Sequence, residues 1–357
     1  MDISSISQTI DRALVAAGLD TRSGPLKTVA STIEKALAAA GLTQRTAPRA
    51  ARASATSRAA TGAADTDQAV VDVGQFITAS HSNGHATRGY KLYVPAAYDG
   101  APMPLIVMLH GCKQNPDDFA AGTRMNEWAE REGFLVAYPA QTARANGANC
   151  WNWFEHAQQQ RDGDEPAIIA GIVGAIAESH AVDRSRVFVA GLSAGAAMAV
   201  ILGATYPEVF AAVGAHSGLP IGAAHDVASA FAAMHGRAAA AHGAVADLPA
   251  VPTIVIHGDA DSTVAASNGD AIVEQALRRF AHSHGVLRKR AQAPVEAAGR
   301  SVSKTDYVDA AGRARVEEWV VHGGAHTWFG GDPAGSYTDA AGPDASAQIV
   351  RFFLAAK

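Results

Sequence analysis

Short runs of purely apolar residues, separated by helix-length stretches, constrain this chain more than any other feature. Leu105-Ile106-Val107-Met108-Leu109 has no polar member, and a strand that is apolar on both faces must be covered on both. Residues 134–138, 187–190, 211–215 and 253–256 repeat that type, 316–321 reads as a further strand, and 90–94 alternate apolar and polar side chains as an antiparallel strand does. Between and after them, 120–132, 165–180, 194–205, 269–280 and 345–356 read as helices. Alternating strands and helices predict an α/β fold: a mostly parallel central sheet with helices on both faces. Functional loops in such sheets gather at the carboxyl ends of the strands. Residues 222–248 are rich in Ala and His with weak strand character, and read as an insertion or lid.

Composition narrows the function classes. The net charge of −5 leaves no basic excess to neutralise phosphates, which disfavours a nucleic-acid partner. Hydrophobic residues at 48% against 18% charged allow a large core. Two cysteines are too few for a disulfide-stapled scaffold or a multi-thiolate zinc site. No apolar run approaches the roughly 18–20 residues of a membrane helix. Met1-Asp2-Ile3-Ser4-Ser5 has none of the basic-then-apolar pattern of an export signal, and the first basic residue is Arg12. The expectation is a cytoplasmic protein, with an extracellular one as the alternative.

The N-terminal part differs from the rest. The stretch from Thr9 to Leu19 recurs from Thr32 to Leu42, an offset of 23 residues. Ile3, Ile6, Ile10, Ala13 and Ala17 share one helical face, Ser31 and Glu34 form a capping-box pattern, and Gly18 and Gly41 sit where helices stop. Two short amphipathic helices are expected in 1–43. They would dock on each other or on the parent domain, or else serve self-association or contact with a hydrophobic particle. Residues 44–68, rich in Ala, Ser, Thr and Arg, read as a flexible linker. That leaves 69–357 for the main domain.

The chemistry concentrates in three segments. Val187-Phe188-Val189-Ala190-Gly191-Leu192-Ser193-Ala194-Gly195 is a buried strand, a Gly-x-Ser-x-Gly turn and the start of an Ala-rich helix. In that context the serine is held exposed on a sharp turn, with glycines where a Cβ would clash. A serine hydroxyl needs an adjacent base, and for this turn the partners follow in the order acid, then histidine. His257-Gly258-Asp259-Ala260-Asp261 follows one strand and points to Asp261, three residues past the glycine, with Asp259 as the alternative. His322-Gly323-Gly324-Ala325-His326 follows another and points to His326, with His322 as the alternative. Two glycines between these histidines argue against helical metal ligation, and no metal or organic cofactor is called for.

An oxyanion needs donors. The N–H of Ala194 follows the nucleophile, and a second is expected in His110-Gly111-Cys112-Lys113-Gln114, at Cys112. Cys112 and Cys150 either close a loop of roughly 40 residues as a disulfide or remain two buried thiols. Trp151, Trp153, Trp328 and Phe329 flank these segments and would either line a substrate groove or pack in the core.

Taken together, Leu109-His110-Gly111-Cys112-Lys113-Gln114, Cys150-Trp151-Asn152-Trp153-Phe154, the turn around Ser193, Ser217-Gly218-Leu219-Pro220 and Gly258-Asp259-Ala260-Asp261 resemble the polyhydroxybutyrate depolymerase-type esterase family. That family is close to the acetylxylan and feruloyl esterases of carbohydrate esterase family one. The resemblance spans roughly 90–328. It implies an α/β-hydrolase fold and a serine esterase whose triad falls on Ser193, Asp261 and His326. It also implies that Cys112 and Cys150 are bonded, as in similar exported esterases. The substrate it implies is an ester, possibly polymeric, with hydroxybutyrate polymers or oligomers first and feruloyl or acetylxylan esters second. A non-catalytic protein that binds polyester granules through 1–43 is the rival of another class.

Overall fold

The computed structural model describes residues 74–84, 86–237 and 248–356. The helices expected in 1–43, the linker at 44–68 and residues 238–247 of the expected insertion lie outside the described residues. Among those described, eleven strands form one sheet: β1 (Gln75–Ser82), β2 (Thr87–Val94), β3 (Met103–Leu109), β4 (Leu135–Pro139), β5 (Val182–Leu192), β6 (Ala212–His216), β7 (Thr253–Gly258), β8 (Arg288–Ala291), β9 (Val295–Ala297), β10 (Arg300–Val308) and β11 (Ala314–Val321). Their order is β1-β2-β4-β3-β5-β6-β7-β11-β10-β8, with β9 beside β10. The strands from β4 to β11 in that order run parallel, and both margins are antiparallel. The helices are α1 (Pro116–Thr123), α2 (Met125–Glu132), α3 (Asp164–Ser179), α4 (Ala194–Thr205), α5 (Val227–Met234), α6 (Ser267–Ser283) and α7 (Ala345–Ala355).

The continuous apolar runs are continuous because each strand feeds two cores. Leu105, Val107 and Leu109 of β3 pack with α3, α4 and α6 on one face. Ile106 and Met108 pack with Phe119 of α1, Met125 of α2 and Phe353 of α7 on the other. Burying each such side chain is worth about 1.5–3 kcal/mol, so one polar substitution in these runs disturbs a whole layer. The edge strand β8, Arg-Lys-Arg-Ala, is exposed throughout, and its charges discourage pairing with another chain.

Several elements differ from the expected ones. The helix expected at 120–132 is two helices. Asn115 caps the first through the Asp118 N–H, Pro116 occupies its first turn, and Arg124, with φ 51°, breaks the chain between them. The antiparallel strands β8, β9 and β10 have little apolar alternation and left no strand signal.

The register brings the functional loops together. Leu109 of β3 pairs with Gly191 of β5, Leu192 with His216 of β6, His216 with Ile256 of β7, and Gly258 of β7 with Val321 of β11. The segments after β3, β5, β7 and β11 therefore leave the sheet side by side at one rim.

Candidate active site

Ser193 stands between β5 and α4 with φ 58° and ψ −119°, a strained backbone for a residue with a Cβ. The neighbours make the turn possible. A Cβ on Gly195 would lie 2.0 Å from the Leu109 carbonyl oxygen, and one on Gly191 would lie 2.4 Å from the Gly195 carbonyl carbon. Only glycine lets the turn press this closely on β3. The Ser193 N–H donates to the His216 carbonyl at 2.9 Å, which ties the turn to β6. Helix α4 behind it is buried from Ala194 to Ala204, and its small residues let it lie close on the sheet. Its first N–H groups have no acceptor within the helix and point past Ser193.

Asp261 and His326 meet across the β7–β11 boundary. His326 Nδ1 lies 2.6 Å from Asp261 Oδ2. The other carboxylate oxygen accepts the Thr263 and Val264 N–H groups at 2.9 and 2.8 Å. Burial alone would raise this carboxyl, but hydrogen bonds from His257 and His326 outweigh it and hold Asp261 well below the usual carboxylate range. An ionised Asp261 makes His326 Nδ1 the donor and leaves Nε2 with a free lone pair. Ser193 and His326 line the same cavity. Among the described residues no hydrogen bond joins the Ser193 hydroxyl to the His326 ring, a contact that commonly tightens only with substrate bound.

The alternatives set aside in the sequence pair with each other. His322 Nδ1 lies 2.8 Å from Asp259 Oδ2, and the Gly323 N–H donates to Asp259 Oδ1 at 2.7 Å. Neither side chain lines the cavity that holds Ser193.

The 110–114 loop sits opposite. The Gly111 N–H donates to Gln114 Oε1 at 2.9 Å, that of Lys113 to the Ala148 carbonyl at 2.7 Å and that of Gln114 to the Gly111 carbonyl at 3.3 Å. Among the described residues the Cys112 N–H has no acceptor, and Cys112 borders the cavity. The loop is braced from behind. His110, whose pKa burial lowers, donates from Nδ1 to the Gly111 carbonyl and accepts the Gln141 N–H at Nε2. Trp151 Nε1 donates to the His110 carbonyl at 3.1 Å. Cys112 and Cys150 form a disulfide across 38 residues, which ties this loop to the segment carrying Trp153. Buried Glu165 anchors that segment by accepting Gln141 Nε2, and Asn152 N and Nδ2 at 2.7 Å each.

The cavity has a volume of about 500 Å³ and is predominantly apolar. Of the four aromatics expected at the substrate, Trp153 lines it and Trp151, Trp328 and Phe329 do not. Trp151 is fully buried against the His110 ring. Trp328 and Phe329 form the short strand β12 (Trp328–Phe329), pair with β13 (Thr338–Asp339) and pack in the core around His216. The apolar wall comes instead from Phe154 and from Val227, Ala230, Phe231 and Met234 on one face of α5. That helix lies within the expected insertion, is capped by Asp226 and Ser229, and is held at its far end by Asn268.

Two histidines went unnoticed in the sequence. His216 Nε2 accepts the Phe329 N–H at 3.3 Å, and the ring stacks on Trp328 at 4.8 Å. Burial, reinforced by the nearby His257 and His326 rings, keeps it well below the ordinary histidine range and therefore neutral. His257 Nε2 lies 2.9 Å from the Val264 carbonyl and 3.4 Å from Asp261 Oδ2. Their signal was position: each stands at the carboxyl end of a central parallel strand.

A parallel sheet with a Gly-x-Ser-x-Gly turn after a central strand and an Asp–His pair from later strands at the same rim defines an α/β-hydrolase. Within that class the model of the esterase PHB depolymerase family matches residues 88–297, more than half of the chain, and the chain belongs to that family. Poly(3-hydroxyalkanoate) depolymerase C of Paucimonas lemoignei is 36% identical over 199 residues, covering 52% of this chain and 46% of that protein. Feruloyl esterase B of Neurospora crassa is 38% identical over 147 residues, covering 41% and 48%. The chain thus spans about half the length of the curated relatives it matches. An acetyl xylan esterase from Aspergillus awamori shares the fold with a TM-score of 0.58 and 20% identity, over 79% of this chain and 100% of that one.

Proposed function

We propose that this protein is a serine esterase that hydrolyses carboxylic esters through an acyl-enzyme on Ser193, with hydroxybutyrate-type polyesters, their oligomers or short aliphatic esters as substrates. The observation that carries the reading is His326, paired with Asp261 at 2.6 Å, on the wall of an apolar cavity that the strained serine also lines. In this scheme His326 Nε2 takes the Ser193 proton as the hydroxyl attacks the ester carbonyl. The N–H groups of Ala194 and Cys112 receive the oxyanion, each worth roughly 2.7–4 kcal/mol of transition-state stabilisation. His326 then protonates the leaving alcohol, and water repeats the sequence on the acyl-enzyme. No metal or organic cofactor enters the scheme.

The depolymerase relative and the aliphatic Val227, Ala230 and Met234 of α5 support the polyester reading. A feruloyl or acetylxylan esterase is the second reading, favoured by the feruloyl relative and by Trp153, Phe154 and Phe231 in the cavity. Turnover of hydroxybutyrate oligomers, ethyl ferulate and acetylated xylan by the purified protein decides between them. The polyester reading predicts the highest kcat/KM on the oligomers, and a preference for either of the others overturns it. The Cys112–Cys150 disulfide fits an oxidising compartment, so of the two locations expected from the sequence we favour the extracellular one.

A further inference from the structure

The Asp259–His322 pair does not end at His322. While Nδ1 of that ring lies 2.8 Å from Asp259 Oδ2, Nε2 lies 2.8 Å from the hydroxyl of Ser303. Ser303 belongs to β10, opposite Val320 of β11, and His322 follows the end of β11. Asp259 follows β7, the parallel neighbour of β11. Three adjacent strands thus place a serine, an imidazole and a carboxylate in one hydrogen-bonded line. The His322 hydrogen bond holds the Asp259 carboxyl below its ordinary range, against some opposing desolvation and with help from the Gly323 N–H. An ionised Asp259 makes Nδ1 the donor, so Nε2 accepts and the Ser303 hydroxyl donates to it. This is the order of donors and acceptors that primes a serine for attack.

We propose that Ser303, His322 and Asp259 form a second acyl-accepting site, separate from the Ser193 cavity, that reacts with small activated esters. None of the three side chains lines that cavity. The side chains of His322 and Asp259 are 40% and 42% exposed, so a small reagent reaches the relay from solvent. Ser303 Oγ attacks the carbonyl carbon and passes its proton to His322 Nε2. The bond to the leaving alcohol breaks, and His322 returns the proton to the departing oxygen. Water then releases the acyl group by the same path in reverse.

Ser303 lies within β10 and not at a helix N-terminus, so no helix N–H groups receive its oxyanion. Each donor of an oxyanion hole is worth about 10²–10³ in rate. Acylation at Ser303 is therefore expected to run at least about 10³-fold slower than at Ser193.

The test uses the full chain carrying Ser193→Ala, incubated with a small fluorophosphonate and mapped by peptide mass spectrometry. The expected result is a time-dependent adduct on Ser303 that is absent from Ser193→Ala/Ser303→Ala. His322→Ala in the same background should slow it by at least about tenfold, the lower end of a base contribution. Asp259→Asn, which keeps the side-chain size, should slow it in the same direction, and thermal melting confirms that each variant is folded. Absence of an adduct on Ser303, or a rate that neither His322→Ala nor Asp259→Asn changes, overturns the proposal. The outcome is independent of whether Ser193 is the main nucleophile, since Ser193 is absent from every sample.

Discussion

At the scale of single residues, two carboxylates lie two positions apart and each holds its own histidine. Asp261 is buried against His326 on the cavity wall, and Asp259 is exposed with His322 outside it. On the proposed mechanism Asp261→Asn reverses the hydrogen bond that sets the His326 tautomer. Esterase turnover should fall on the order of 10⁴-fold, by analogy with other triads. Asp259→Asn should lower it by less than about tenfold, since only a surface pair is broken. Equal losses in the two variants, read as kcat on p-nitrophenyl butyrate, would reassign the acid. His216 gives a second test, through pH. Its folded pKa is depressed, so it stays neutral when folded while an unfolded histidine binds a proton below pH ~6.5. Its contribution to stability is therefore present above that pH and is lost as the pH falls below it. Melting temperature should drop between about pH 6.5 and 5, and the slope should be shallower in His216→Asn. An unchanged slope would assign the acid sensitivity to other groups, such as buried His110.

Among the elements, α5 and β12 exchange the roles that sequence position suggested. Val227 and Phe231, 58% and 61% exposed, stand on the cavity face of α5, whereas Trp328 and Phe329 of β12 are buried. Phe231→Ala should lower kcat/KM for long or aromatic acyl chains by about 5–30-fold, the worth of 1–2 kcal/mol of apolar contact. Because Phe231 is exposed, its melting temperature should barely move. Trp328→Ala should instead destabilise the fold by about 3–5 kcal/mol. The opposite pattern, a stable Trp328→Ala with altered specificity, would return β12 to the cavity. The same contrast shows what was legible. The central parallel strands β3 to β7 could be read because their cores are apolar on both faces, and the elbow because Gly191 and Gly195 have no room for a Cβ. The side chains that face the cavity could not. A tryptophan in the core and one in a groove look alike until the register of β12 with β13 is known. Strand β10 escaped notice because its polar residues form ladders and ion pairs, as Lys304 does with Asp306 and Glu317.

For the whole molecule, the rim works because distant segments are fastened to one another: β3 to β5 by register, and the 110–114 loop to the 141–154 segment by the disulfide. In the chain-entropy account a link closing 38 residues contributes about 4 kcal/mol. Cys112→Ser/Cys150→Ser should melt at lower temperature by an amount of that order. It should also lose turnover beyond what stability explains, because Cys112 would no longer be fixed opposite Ala194. Full turnover in the folded double variant would mean that the loop holds its shape without the link. The most direct measurement is the kcat/KM of Ser193→Ala on p-nitrophenyl butyrate, made alongside its melting curve. A loss of at least about 10³-fold with the melting temperature retained is the predicted result, and a folded variant that keeps activity within tenfold of the parent would contradict it.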